Sequence, residues 1–380
     1  MSGAELKASL SLAGIFALRM LGLFLILPVF ALHAKTLPGG DSAARVGLAL
    51  GIYGLVQACL HIPLGMLSDR IGRKRVIAGG LIVFIAGSAV AALAQDLNWI
   101  IVGRAVQGAG AISAAITALL ADLTRDEHRT KAMAMVGGSI GLSFALSLVI
   151  ASPLYQGIGM RGIFWLMGLL GCGALLVIVC AVPSPAAAKK SEAHFLEVLL
   201  RPELLRLNFG VLVLHACQTA MFVVVPGMLV QAGQPLANHW QIYLPVVLIS
   251  FMLMLGPMLA AERAERTRAV VLAAICLLLV AESGFALLVG PEQGAGLLAV
   301  AAALLAFFTG FNILEAMQPS LVSRIAAEAR GTALGIYNTT QALGLFVGGA
   351  AGGALLKFAG GQAVFEAAAM LLLCWLAVAW

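Results

Sequence analysis

Charge is scarce in this sequence. Only 11% of its 380 residues are Asp, Glu, Lys or Arg, where a soluble domain carries about 25%. Its side chains are 62% hydrophobic, more than any water-soluble core can hide, so the chain needs lipid as its solvent. That excludes a soluble enzyme and deprives the net charge of +6 of its usual nucleic-acid meaning. No G-x-x-x-x-G-K-[ST] phosphate loop occurs, which excludes an ATP-driven pump on this chain alone. The scattered histidines form no HExxH zinc motif. The six cysteines all lie inside apolar runs without metal-ligand spacing and read as small buried side chains, not a disulfide or metal framework. Nothing calls for a cofactor, a metal or a nucleic-acid partner.

What is present is apolar sequence in lengths of about 20 residues, the amount that crosses roughly 30 Å of hydrocarbon. Twelve such runs can be read: 10–34, 45–68, 76–95, 98–121, 132–153, 162–183, 208–232, 239–261, 269–290, 295–318, 331–353 and 361–380. Backbone polar groups in lipid must be satisfied within the segment, so the runs are helices, and short loops make successive helices antiparallel neighbours. The fold class expected is therefore all-α and polytopic. The first run contains Arg19 and is longer than a signal peptide's apolar region, so it is read as a retained helix. Placing both termini in the cytoplasm puts 17 Lys and Arg in cytoplasmic loops against 4 on the other side, the asymmetry that orients membrane proteins.

The only long polar connection is residues 184–207, with an amphipathic stretch around Phe195–Leu200 suited to a membrane surface. It divides the chain into a six-helix bundle at 1–183 and another at 208–380. Landmarks recur in order between the two. Arg129, Ala132 and Met133 return as Arg330, Ala333 and Leu334, and Phe164 returns as Phe365; Pro28 matches Pro226, and Asp69-Arg70 matches Glu262-Arg263. Parallel repeats of this kind are a framework for alternating access, with a site between the halves near mid-membrane.

Two local patterns carry more than topology. GMLSDRIGRKR, residues 65–75, falls in the turn after the second run. Gly65 allows close helix approach and Gly72 a tight turn. Asp69 sits at its own helix's unfavourable end and should serve a neighbouring helix or an arginine. Arg70, Arg73 and Lys74 also satisfy the topology rule, which explains neither the glycines nor the aspartate. In the fourth run, Arg104, Gln107, Gly108 and Ala111 share one helical face. A mid-helix arginine costs about 2.5–3.5 kcal/mol on insertion scales and should face a cavity or a partner.

Elsewhere polar residues form stripes at helical spacing: Tyr53, Gln57 and His61; Ser139, Ser143 and Ser147; His215, Gln218, Thr219 and Phe222; Thr309, Asn312 and Glu315; Asn338 and Gln341. The serines read as interhelical hydrogen bonders. Taken together the stripes predict a hydrated substrate path at the bundle's centre. Two acids stand apart, Glu282 in the ninth run and Glu315 in the tenth. With Arg19 and Arg104 they are the candidates for proton coupling; Glu315 is the first choice, for coupling or for holding a cationic group, with Arg19 or Arg104 tuning it, and Glu282 reads alternatively as a structural partner.

The 65–75 signature matches the major facilitator superfamily at that superfamily's spacing, and Arg104-x-x-Gln107-Gly108 is similar to a motif of its proton-coupled members. The fifth run has Ser152-Pro153 where drug/proton antiporters carry Gly-Pro, which weakens antiport specifically. Over the whole chain the sequence resembles the YajR-type efflux transporters of bacterial inner membranes. The stretches concerned are ALRMLGLFLILPV (17–29), GIYGLVQACLHIPLGMLSDRIGRKR (51–75), GRAVQGAGAISAA (103–115), LLADLTRDEHRTKAMA (119–134), NILEAMQPSL (312–321) and GIYNTTQALG (335–344). The resemblance implies the twelve-helix facilitator fold and a charge relay of Asp69, Arg73 and Asp122, with Asp69 meeting the start of the eleventh helix near Gly331–Gly335 in an outward-open state. The expected partners are a small-molecule substrate, protons and membrane lipid, with the chain a monomer; a cavity of Ala, Gly, Met and Phe with sparse polar groups suits an amphipathic substrate. An uncoupled facilitator or importer, a membrane sensor and an intramembrane enzyme are the alternatives.

Overall fold

The computed structural model describes residues 1–183, 195–263, 266–289 and 296–379; of the connection expected at 184–207, residues 184–194 lie outside these. Among the described residues the chain is helical throughout: α1 (Gly3–Leu25), α2 (Leu27–Ala34), α3 (Ala43–Ile71), α4 (Arg73–Leu93), α5 (Leu97–Ala109), α6 (Ser113–Leu123), α7 (Asp126–Cys180), α8 (Phe195–Leu200), α9 (Pro202–Gln231), α10 (Trp240–Arg263), α11 (Thr267–Leu288), α12 (Leu297–Ile325) and α13 (Arg330–Ala379). α8 is the amphipathic stretch.

Local chemistry sets several boundaries. Ser2 and Glu5 form a reciprocal capping box at the start of α1. Asp96 accepts from the Trp99 amide at 3.0 Å to begin α5. Pro28 lies in the first turn of α2, where its missing N–H costs no helix bond, and the first span breaks just before it, at Ile26. The fourth span is also broken: residues 110–112 are non-helical between α5 and α6.

Two helices are too long to be single spans. An unbroken helix of α7's 55 residues would reach about 80 Å. At Gly159 (φ 65°, ψ 179°) and Gly360 (φ 85°, ψ 174°) the backbone leaves the helical region for one that glycine tolerates. Side-chain contacts show the chain doubling back. Ser143 and Ser147 donate to the Ala17 and Leu21 carbonyls, each at 3.1 Å, while Met167, beyond the kink, faces Gly22, where a Cβ would come within 3.2 Å of it. Thus residues 147 and 167 meet the same turn of α1. α13 does likewise against α9. Gly348 lies on the Ala216 carbonyl, and beyond the kink Cys217 Sγ reaches the Ala368 carbonyl at 3.9 Å. Counting each kinked helix as two spans makes twelve crossings among the described residues, an even number that brings both ends of the bundle's chain to one side. The first span is thereby flanked by the fifth and sixth as the seventh is by the eleventh and twelfth.

The first six and last six spans meet along α3 and α13. Gly47, Gly51 and Gly54 of α3 lie directly on the α13 backbone at Gly349, Phe346 and Ala342, in the half of α3 nearer the end opposite the termini. There Gln156 also donates to the Ala237 carbonyl at 2.6 Å. The second segment of the broken fourth span, α6, approaches α13 as well. At mid-height the seam is aromatic: Phe144 packs on Phe24, and across the seam on Phe222, Phe308 and Phe311, with ring centroids 5.1–6.4 Å apart.

Candidate functional site

Three groups of polar residues stand out. At the termini end, α3 ends at Gly72, whose φ of 102° lets the chain turn straight into α4. Arg73, the first residue of α4, then points back. Its guanidinium pairs with Asp69, reaches Asp122 Oδ2 at 3.3 Å and donates to Ser68 Oγ at 2.7 Å. One arginine therefore ties the ends of the second and fourth spans. Lys74 donates to the Val182 carbonyl at 2.7 Å, placing a cation on the orphan carbonyls that end the sixth span. Arg70 is exposed, and Gly65 lies 3.4 Å from the Ala114 side chain by its would-be Cβ.

Among the described residues no hydrogen bond or ion pair joins Asp69, which pairs with Arg73, to the eleventh span. Gly331 and Gly335 face open space, with nothing within 4 Å of a Cβ at either. Sequence reasoning also missed a second clasp at this end. Glu5 accepts from the Arg125 amide at 3.1 Å and from its guanidinium at 3.0 and 3.2 Å, joining the first span to the start of the fifth. Arg125 and the Ser2 amide hold the Glu5 carboxyl well below the usual carboxylate range. The Ser2-Gly3-Ala4-Glu5 capping box was the available signal.

The second group is buried among the first six spans. Arg104 donates to the Ala49 and Leu50 carbonyls at 3.4 Å each and to Gln107 Oε1 at 3.0 Å; Gln107 in turn donates to Ser88 Oγ at 2.9 Å. Gly108 lies on the Tyr53 backbone. The Arg104–Gln107–Gly108 face is as its spacing predicts, but Ala111 falls in the helix break and leaves it. Arg19 donates to Ser113 Oγ at 3.1 Å and to the Tyr53 hydroxyl at 2.5 Å. Tyr53 lies between the two arginines. Buried His61 has neither ring nitrogen bonded. Gln57 is buried on the same helix.

The third group joins three of the last six spans. His215 Nδ1 is 3.0 Å from the Val211 carbonyl, which can only accept, so Nδ1 carries a hydrogen. In the neutral ring Nε2 is then the acceptor, and it takes a bond from Gln341 Nε2 at 2.8 Å. The Gln341 amide also reaches Glu315 Oε1 at 3.3 Å, and Glu315 Oε2 lies 3.5 Å from His215 Nε2. His215 touches the aromatic seam through Phe311, centroids 5.7 Å apart. Nearby, Asn312 donates to Ser250 Oγ at 3.0 Å; Gln218 is buried, Asn338 half-buried, and Phe222 belongs to the seam.

The buried polar residues sort into two hydrogen-bonded groups, one in each half, with the Phe144 cluster at the seam between the halves, and among the described residues no hydrogen bond joins Arg19 or Arg104 to Glu315. Glu282 is 1% exposed and neither of its oxygens is hydrogen-bonded. Residues 137–141, GGSIG, do have nucleophile-elbow spacing, but they lie inside continuous helix, and Ser139 Oγ donates to the Val136 carbonyl at 2.7 Å. An elbow requires a strained strand-to-helix turn.

Comparison with known proteins agrees with this architecture. The sequence profile of the Major Facilitator Superfamily matches residues 12–349. The chain is 42% identical over 386 residues to the inner membrane transport protein YajR of Escherichia coli (strain K12), covering 100% of this chain and 84% of that one. It is 33% identical over 356 residues to an uncharacterized transporter of Buchnera aphidicola subsp. Acyrthosiphon pisum, covering 92% and 90%. Among solved structures it resembles the human organic anion transporter MFSD10, with TM-score 0.72 at 17% identity and 100% of both chains covered. It also resembles a bacterial homolog of the human lysosomal transporter Spinster, with TM-score 0.75 at 14% identity, covering 100% and 97%. At those identities the structural likeness is one of fold.

Proposed function

The chain belongs to the Major Facilitator Superfamily, and on that premise we propose that it exports small amphipathic molecules by proton-driven alternating access. Membrane transport follows from the family; the driving ion and the direction are the proposal. The observation that carries it is the His215–Gln341–Glu315 group, an acid and a base in contact within the spans.

One proton rearranges that group. With His215 neutral, Gln341 bonds its Nε2. A proton on Nε2 turns the acceptor into a donor, breaks the Gln341 bond and creates an ion pair with Glu315 at the existing 3.5 Å. A proton on Glu315 instead supplies an O–H facing the same ring nitrogen. Either event changes how α9, α12 and α13 are tied together, and α13 carries the glycine contact with α3. Protonation is thereby linked to closure of the seam.

In this proposal residues 1–183 and 208–380 are the two rocking halves and 184–207 their connection. The lysine and arginine asymmetry supports cytoplasmic termini, and the likeness to the inner membrane transport protein YajR supports a bacterial inner membrane as the location. The glycine-lined closure then lies on the outer side, and the arrangement is inward-facing. Asp69, Arg73 and Asp122, with Gly65, Arg70, Gly72 and Lys74 shaping their turn, form the cytoplasmic latch that engages Gly331–Gly335 when the halves rock the other way. The chain works as a monomer.

The test is flux of neutral, cationic and anionic amphipathic dyes in proteoliposomes under an imposed pH gradient. Flux of at least one dye should follow the gradient and collapse with a protonophore, and Glu315→Gln should abolish that dependence. Gradient-driven flux that survives Glu315→Gln removes the acid's role, and flux indifferent to the protonophore favours an uncoupled facilitator.

A further inference from the structure

Charge inside the spans is segregated: Arg19 and Arg104 lie in the first six, Glu282 and Glu315 in the last six. Among the described residues neither arginine meets a carboxylate. Both flank one ring, with guanidinium carbons 5.9 and 4.9 Å from the Tyr53 centroid. Two buried cations this close repel each other and have lost their water, a costly arrangement without a counter-charge.

Arg104 is provided for by two carbonyls and the Gln107 amide oxygen. Arg19 is not. It is 0% exposed, its Nε is unbonded, and its other nitrogens meet only the neutral hydroxyls of Ser113 and Tyr53. About two turns beyond Tyr53 on α3 stands His61, 2% exposed and with both ring nitrogens unpartnered.

A separate feature points the same way. The break at residues 110–112 restarts the fourth span as the 11-residue α6, and Ser113, the residue holding Arg19, is its first. No side chain caps that start. The first N–H groups of a helix carry partial positive charge and favour an anion. An arginine with a spare N–H and an uncapped helix start therefore share one place, with an unbonded histidine farther along the helix that carries Tyr53, and the acceptor they lack is a negative one.

We infer that this place holds the anionic headgroup of the cargo, a carboxylate or sulfonate, taken up as the halves open. The cargo's apolar body lies toward the aromatic seam: Phe24 is five residues beyond Arg19, about 7.5 Å along the helix. The inference rests on the transport reading and narrows it to amphipathic organic anions. Phosphate monoesters, with two charges, fit less well beside an apolar seam.

The experiment is equilibrium binding to the purified full chain in detergent, with no pH gradient, so its result is independent of proton coupling. The probes are 4-pentylbenzoate, its neutral amide and the corresponding benzylamine. The acid should bind at least tenfold more tightly than the amide, and the amine more weakly still. Arg19→Gln should bring the acid-to-amide ratio close to one, Arg19→Lys should keep part of it, and His61→Gln should lower it severalfold. Equal binding of acid and amide by the native chain, tighter binding of the amine, or a ratio unchanged in Arg19→Gln would each overturn the assignment. If Arg19→Gln does not fold, the native ratio and the His61→Gln variant decide. Anion preference with protonophore-insensitive flux would uphold this site while defeating the coupling proposal.

Discussion

Gly51 of the second span rests on the backbone of Phe346 in the eleventh, so closely that a Cβ at 51 would stand 2.8 Å from the Phe346 carbonyl. The neighbouring pairs Gly47–Gly349 and Gly54–Ala342 are at least as tight. With little hydrophobic force between helices in lipid, such backbone contact is what holds the two halves together at this end.

Gly51→Leu should therefore hold that end apart. Overpacking of this kind costs about 1–3 kcal/mol, and the closed arrangement alone bears it. Hydrogen exchange over residues 43–54 and 342–353 should accelerate roughly tenfold, while the termini end becomes more protected. Unchanged exchange in both segments would mean that the contact does not govern closure.

The Arg73 bridge leads to a different expectation. Asp69 is 56% exposed at its side chain, and exposed ion pairs contribute roughly 0–1 kcal/mol. Asp69→Asn should leave thermal unfolding nearly unmoved, whereas Arg73→Ala, which also loses Asp122 and Ser68, should lower it clearly. The Asp69→Asn effect should appear in the balance of states, as altered exchange near Gly331–Gly335 and at the far end. No change in exchange at either end would remove its latch role.

The Glu5–Arg125 clasp gives a pH dependence. The folded-state carboxyl is depressed, so its stabilisation is complete above the unfolded value of about 4.3 and is lost as pH falls through the folded one. Glu5→Gln should lower the melting temperature at pH 7. The gap between native and variant should narrow only once the pH drops below about 4. A gap constant from pH 7 down to pH 3 would show that the clasp is not electrostatic.

Hydropathy made the spans legible because lipid imposes one solution on every apolar run, and the Arg104–Gln107–Gly108 face followed from spacing within one helix. Pro28 accounts for the break at Ile26, but the break at 110–112 has no proline to mark it, and Ala111 leaves the face that spacing predicts. The partners of Arg19, Tyr53 and Ser113, come from other spans, and nothing local to Arg19 names them. The same holds for His215, Glu315 and Gln341, each of which reads alone as one polar residue on an apolar helix. Separation of the arginines from Glu315 by an aromatic seam is a property of packing between spans, which periodicity does not record.

Most direct of all is proton movement itself. A pH-sensitive dye sealed inside proteoliposomes should report a shift in lumenal pH when a transported amphipathic dye is added outside without any imposed gradient, and the shift should vanish in Glu315→Gln. Dye flux with the lumenal pH unmoved would contradict the account.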